Sequence, residues 1–225
     1  MAIFLGPGIP NSGLVLHLDA TNPRSYPGTG TAWNDLSGNG NNGTLINGPT
    51  YSSANNGSIV FDGVNDHTII PGFPLLAPLS ICAWIYKTQH TPWTSIIDRY
   101  ASETLDSVSL GFDDITGQKL MYMWNNSGTW GNRVYSNSTV GLNTWNHICI
   151  SATATNVNFY INGAFDATAI CGQVIQTGDF YIAVNLPGGD EYYGGRVSTV
   201  QVYNRALTAQ EISQNFTATR GRYGI

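Results

Sequence analysis

Trp145-Asn146-His147-Ile148-Cys149-Ile150-Ser151-Ala152, a polar turn over residues 153–156, and Val157-Asn158-Phe159-Tyr160-Ile161-Asn162-Gly163 decide the fold. Successive side chains of a strand point to opposite faces. Ile148, Ile150 and Ala152 therefore share one face of a first strand, and Val157, Phe159 and Ile161 one face of a second. Asn162-Gly163 supplies two residues that tolerate positive φ, the chemistry of a tight hairpin turn. An antiparallel sheet with one apolar face follows.

The same alternation recurs on both sides. Strands are predicted at residues 14–18, 58–61, 68–70, 95–98, 107–112, 120–124, 180–184 and 196–203. Residues 80–87 are apolar on both faces and belong at the centre of a sheet. Asn- and Gly-rich residues 19–43 encode turns, and Asp62-Gly63 starts another. One helix is marked near the end. Thr208-Ala209-Gln210-Glu211 is a capping box, Leu207 and Ile212 are placed as a hydrophobic staple, and Gly221 is the expected stop. The helix is expected on the sandwich edge. Residues 1–12 form an extended arm ahead of one domain over residues 13–225. The arm is apolar at Ile3, Phe4, Leu5 and Ile9, which makes it a candidate tether to a partner.

Composition excludes several functions. Of the 225 residues 42% are hydrophobic, enough for a large core, but only 10% are charged, against about a quarter in ordinary domains. A net charge of −5 with two lysines, Lys87 and Lys119, leaves no basic stripe for nucleic acid. No apolar run approaches the ~20 residues of a membrane helix, and the first residues lack the pattern of a secretion signal. Cys82, Cys149 and Cys171 are odd in number. Cys82 and Cys149 read as small buried hydrophobes within strands.

Six blocks in order then resemble the laminin G-like branch of the concanavalin A-like lectin/glucanase superfamily. They are Leu14–Asp19; Trp33-Asn34-Asp35-Leu36-Ser37-Gly38-Asn39-Gly40; Ile59-Val60-Phe61-Asp62-Gly63-Val64-Asn65-Asp66; Leu79-Ser80-Ile81-Cys82-Ala83-Trp84-Ile85; Trp145-Asn146-His147 to Ile161-Asn162-Gly163; and Gly194-Gly195-Arg196 to Tyr203-Asn204-Arg205-Ala206-Leu207-Thr208. The resemblance implies an all-β antiparallel jelly-roll sandwich with a short C-terminal helix. It also implies core roles for Trp33, Trp84 and Trp145. His147 falls at a position that the family uses structurally, and we expect a hydrogen-bonded core or edge histidine. The ending Asn215-Phe216 through Arg220-Gly221-Arg222-Tyr223-Gly224-Ile225 resembles laminin G-like domains of tailed-phage structural proteins. That implies a virion location after assembly in a host cytoplasm, other virion proteins of capsid or tail as partners, and a homo-oligomer. Capsid decoration or an appendage subunit is the leading reading. A carbohydrate-binding module or tail-fibre domain adhering to host glycans is the alternative.

Catalytic chemistry finds little support. Glycan hydrolysis needs two carboxylates about 5–10 Å apart. The Glu-x-Asp-x-x-Glu-like strand of the superfamily's enzymes is absent, and no Gly-x-Ser-x-Gly elbow is present. Trp93, Trp130, Tyr192 and Tyr193 lie in predicted loops and are candidates for a sugar platform, or for packing or a protein interface. Asp62, Asp66 and Asp190 are turn acids, candidate ligands for one structural calcium ion or caps of their own turns. No cofactor is required.

Overall fold

In a computed structural model, residues 8–90, 93–99, 108–113, 118–124, 132–172, 175–176, 178–185 and 191–225 are described. The strands are β1 (Leu14–Asp19), β2 (Ala32–Trp33), β3 (Gly43–Ile46), β4 (Thr50–Ser52), β5 (Ser58–Asp62), β6 (His67–Ile70), β7 (Leu75–Leu76), β8 (Leu79–Lys87) and β9 (Thr94–Arg99). They continue as β10 (Val108–Phe112), β11 (Lys119–Trp124), β12 (Arg133–Thr139), β13 (Trp145–Ala152), β14 (Asn156–Ile161), β15 (Ala164–Ile170), β16 (Ile175–Gln176), β17 (Phe180–Ile182) and β18 (Gly194–Tyr203). Helix α1 spans Ala209–Thr219.

Two antiparallel sheets form the expected sandwich. The first runs β15-β14-β13-β8-β18-β5-β4, with β1 also beside β18, and the second runs β12-β11-β10-β9-β17-β6-β3-β2. Strands β7 and β16 form a separate pair. Ile148 faces Ile161, Ile150 faces Phe159 and Ala152 faces Val157 across the decisive hairpin. Asn162 and Gly163 take φ of 51° and 77° in the β14–β15 turn. A side chain at Gly163 would also strike Phe216 of α1 at 2.7 Å, so glycine is needed there twice over. The residues after Asp62 cross to the other sheet, because β5 belongs to the first and β6 to the second. At the opposite margin the two edge strands meet. The Asp166 carboxylate of β15 accepts the backbone N–H of Asn137 and Ser138 in β12. Edge amides satisfied in this way cannot recruit another strand.

The two apolar faces of β8 have different destinations. Ile81, Ala83 and Ile85 join the sandwich core, while Cys82 joins a second buried cluster with Cys149, Tyr160, Tyr203, Leu207 and Ile212. Trp84, Trp145 and Tyr223 make a third. The helix thus covers the outward face of the first sheet and not its edge, as Asn215 donating to Gln201 of β18 also shows. The sequence indicated how α1 starts. Thr208 Oγ1 accepts the Glu211 N–H, and Glu211 accepts the Thr208 N–H. It did not indicate the stop. The helix passes into a 3₁₀ turn over Arg220–Tyr223, and Gly224, not Gly221, takes the left-handed conformation.

The cysteine reading is corrected. Cys82 and Cys149 stand opposite each other on β8 and β13 with Cα atoms 4.1 Å apart, and they form a disulfide. The odd count hid this, because Cys171 remains as a buried free thiol. His147 is fully buried as expected, but its Nδ1 has no hydrogen-bond partner among the described residues, and the ring packs beside the stacked Trp84 and Phe216 rings. Burial pushes its pKa down to about 3, whereas an unfolded chain takes the proton near 6.5. Between those values the unfolded state binds more protons, so stability falls as pH drops, by at most about 1.4 kcal/mol per unit. His147→Phe is expected to flatten this acid limb, measured as urea midpoints at neutral and mildly acidic pH.

Ile3, Phe4 and Leu5 lie outside the described residues. Ile9 packs on its own chain, beside His17 and Arg222, with the preceding Gly8 carbonyl accepting Gln214 Nε2. Among the described residues, no helix is long and apolar enough to cross a membrane.

Candidate functional site

The outward face of the second sheet carries a polar centre that period-2 reading cannot find. Strict alternation would set Ser95 and Asp98 on opposite faces of β9. The register slips between Leu110 and Gly111, so Leu110 faces Ile97 while Gly111 faces Ser95. Ile96 is the extra residue of this bulge, and Ile96 and Ile97 both enter the core. Ser95 and Asp98 consequently share the outward face, where Ser95 Oγ lies 3.4 Å from Asp98 Oδ2 and also meets Ser109 Oγ. Gly111 is required beside the bulge, because a Cβ there would run into the Thr94 backbone.

Register extends this centre into a band across the sheet, since directly opposed residues share a face. Ile69, Tyr181, Asp98, Ser109, Met123 and Arg133 stand side by side on β6, β17, β9, β10, β11 and β12. Ser95, Gly111, Met121 and Tyr135 form a second band beside it. The Trp93 ring lies 4.8 Å from the Arg133 guanidinium. Strands β10 and β11 separate their strands, at about 4.8 Å per strand. The half-buried ring therefore reaches across the face and roofs part of it. Trp93 has a φ of 60°, uncommon for so bulky a residue, and Ala183 at the end of β17 has 70°. Such departures cluster at binding sites, where surrounding structure holds them.

Electrostatics distinguish floor from rim. Asp98 is 1% exposed, and burial holds its pKa well above the usual carboxylate range, with the Ser109 and Ser95 hydroxyls opposing and the Glu191 charge adding to the rise. Tyr135 donates to Asp113, and burial with that bond moves the phenol up to about 12. Asn185 donates to Glu191, and the Tyr192 ring lies tilted 6.1 Å from His67, which in turn lies 6.3 Å from Tyr181. An aromatic ring and a cation at the rim of this face suit a polyhydroxylated ligand, while Ser95 and Ser109, both fully buried, pair with each other and with Asp98 beneath it.

The structure sorts the predicted residues. Trp93 belongs to this face. Tyr192 borders it but is 4% exposed, and Tyr193 is in the sandwich core at 1%, so neither is the open loop platform that its position suggested. Each follows the strand-like bridge between Val184 and Tyr192, which turns the chain inward. Trp130 and Asp190 lie outside the described residues. Asp62 and Asp66 come together, but as turn caps. Asp62 Oδ1 accepts the Val64 and Asn65 N–H groups, and Asp66 Oδ2 accepts the Asp62 N–H. Among the described residues, no group of three or more acidic, imidazole or thiol side chains gathers around them.

A family model for the concanavalin A-like lectin/glucanases superfamily matches residues 61–213. No curated protein matches the chain significantly. Among solved structures, domain 4 of an extracellular arabinanase from Geobacillus stearothermophilus, in complex with arabinotriose, superposes with a TM-score of 0.68 at 19% identity. That match covers 91% of this chain and 98% of the domain. The Botulinum neurotoxin type G receptor binding domain has a TM-score of 0.67 at 17% identity, covering 92% of this chain and 51% of its own. Trypanosoma rangeli sialidase in complex with sialic acid has 0.69 at 16%, covering 96% of this chain and 34% of its own. The chain thus matches nearly all of the arabinanase domain, about half of the toxin domain and about a third of the sialidase.

Proposed function

The chain belongs to the concanavalin A-like lectin/glucanase superfamily, and from that premise we propose that it is a non-catalytic glycan-binding domain of a tailed-phage virion protein. The observation that carries glycan binding is the Trp93 ring held over the outward face of the second sheet beside Arg133, above the Ser95, Ser109 and Asp98 floor. An aromatic face takes the C–H side of a sugar ring, while Arg133 and Tyr181 at its margins offer donors to hydroxyls. Buried at 1% exposure, Asp98 supports this face from beneath. The arabinanase domain that binds arabinotriose supports this reading at the level of fold. The virion setting is supported by the resemblance of the C-terminal segment to phage structural proteins.

Titration calorimetry with arabinotriose and a glycan array tests the binding. Trp93→Ala is expected to weaken the best ligand by about tenfold or more, the scale of one lost aromatic contact, without altering the melting temperature. An array on which the wild-type chain binds nothing would sink the glycan reading. Mass spectrometry of purified particles tests the virion reading, which fails if the chain is missing from them.

A further inference from the structure

A groove of about 530 Å³ opens at the end of the first sheet, beside Tyr203 and Asn204. Its apolar side is Val15, Pro74, Leu76 and Pro78, with Leu76 left 46% exposed. Its other side is amide, from Asn39 and Asn41, whose side-chain NH₂ groups are fixed on the Leu14 and Val15 carbonyls. Apolar pockets beside anchored amides suit an extended peptide, whose side chains fill the pockets and whose backbone meets polar groups.

We propose that this groove receives the segment Ile3-Phe4-Leu5 from the arm of a second copy of the chain. Three successive large apolar residues match the apolar wall, and a sequence with so few charged residues has little else to keep them from water. The path of the arm selects another copy over its own groove. Arg205 Nε holds the Ser12 carbonyl, and Asn204 donates to the Gly13 carbonyl, so the chain starts at the groove's rim. It then runs away from it. Gly8 and Ile9 border a small cavity beside Thr199 and Arg222, and Gln214 of α1 binds the Gly8 carbonyl. Thr199 and Tyr203 are about 13 Å apart along β18. Residues 3–5, three to five positions before Gly8, lie at most about 17 Å from it. To fill its own groove the arm would have to reverse and run back past Gln214 of α1 toward Ser12. Docking in a neighbour needs no reversal and yields a symmetric exchange or a ring.

Sedimentation and light scattering of the full chain, from micromolar to millimolar concentration, test this together with two variants. Phe4→Asp removes the apolar arm, and Leu76→Glu places a charge in the groove at an exposed position that the fold does not need. The wild type is expected to self-associate, and each variant to do so at least about tenfold more weakly. An equimolar mixture of the variants should recover half-sites, because one retains the groove and the other the arm. Phe4→Ser and Leu76→Gln repeat the test if either charged variant melts early. A wild type monomeric at every concentration, variants that associate like the wild type, or a mixture that fails to associate would each overturn the exchange.

Discussion

Reduction of the Cys82–Cys149 bond is expected to lower the free energy of unfolding by about 4 kcal/mol, the chain-entropy scale for a loop of this length. The bond closes a separation of 67 residues, linking β8 to β13 at the middle of the first sheet. Its effect falls on the unfolded chain, whose freedom it limits. The folded state changes little on reduction, because both thiols remain sealed under Leu207 and Ile212. Urea denaturation with and without a phosphine reductant gives the difference directly. A melting temperature lower by roughly 8–16 °C is expected for a chain of this size. A Cys82→Ala, Cys149→Ala double variant should match the reduced protein to within about 1 kcal/mol and should not respond to reductant.

Trp84→Ala is expected to cost about 3–5 kcal/mol, the range for removing a large buried aromatic. Trp84 is 1% exposed and points outward from β8, where it anchors the C-terminal segment. Its Nε1 donates to Thr219 Oγ1 at 2.7 Å, and its ring stacks on Tyr223 with centroids 4.0 Å apart. Phe216 and His147 close the cluster at 5.7 and 5.3 Å. Truncation leaves a cavity under α1 and frees the last turn. Amide hydrogen exchange should therefore rise first at Arg220–Tyr223, ahead of global unfolding. Trp84→Phe keeps the stack and loses one hydrogen bond, so its cost should be nearer 1–2 kcal/mol. If alanine and phenylalanine destabilise equally, the stacking account is wrong.

These two cases also show where sequence reading reaches its limit. Alternation in β13 and β14 revealed which side chains enter the core, and the capping box revealed where α1 begins, because both signals are local. The partner of a cysteine is not local. Cys82 and Cys149 look like any small apolar residue until register sets them opposite each other. Tyr193 read as a loop aromatic because it follows a Gly-rich stretch, yet its N–H pairs with the Ala183 carbonyl and its ring enters the core. His147 reads as a histidine that finds a hydrogen bond, but it is buried beside the Trp84 and Phe216 rings with Nδ1 unpaired among the described residues.

The candidate site was the least legible part. Trp93 was recognised as an aromatic that could meet a sugar, but Arg133, Tyr181 and the Ser95, Ser109 and Asp98 floor were not. A bulged residue in β9 changes which face each later side chain occupies, and nothing in the composition of residues 94–99 announces it.

By itself the sequence determined the two-faced strands, the Asn162-Gly163 turn, the helix start and the family, since each rests on neighbours a few residues apart. Tertiary structure alone decided that the helix covers a sheet face, that two cysteines join and that Trp93 overhangs a polar floor. The physical reason is that a sheet brings distant segments into contact through register, and a single inserted residue is enough to move a side chain from one face of the sheet to the other.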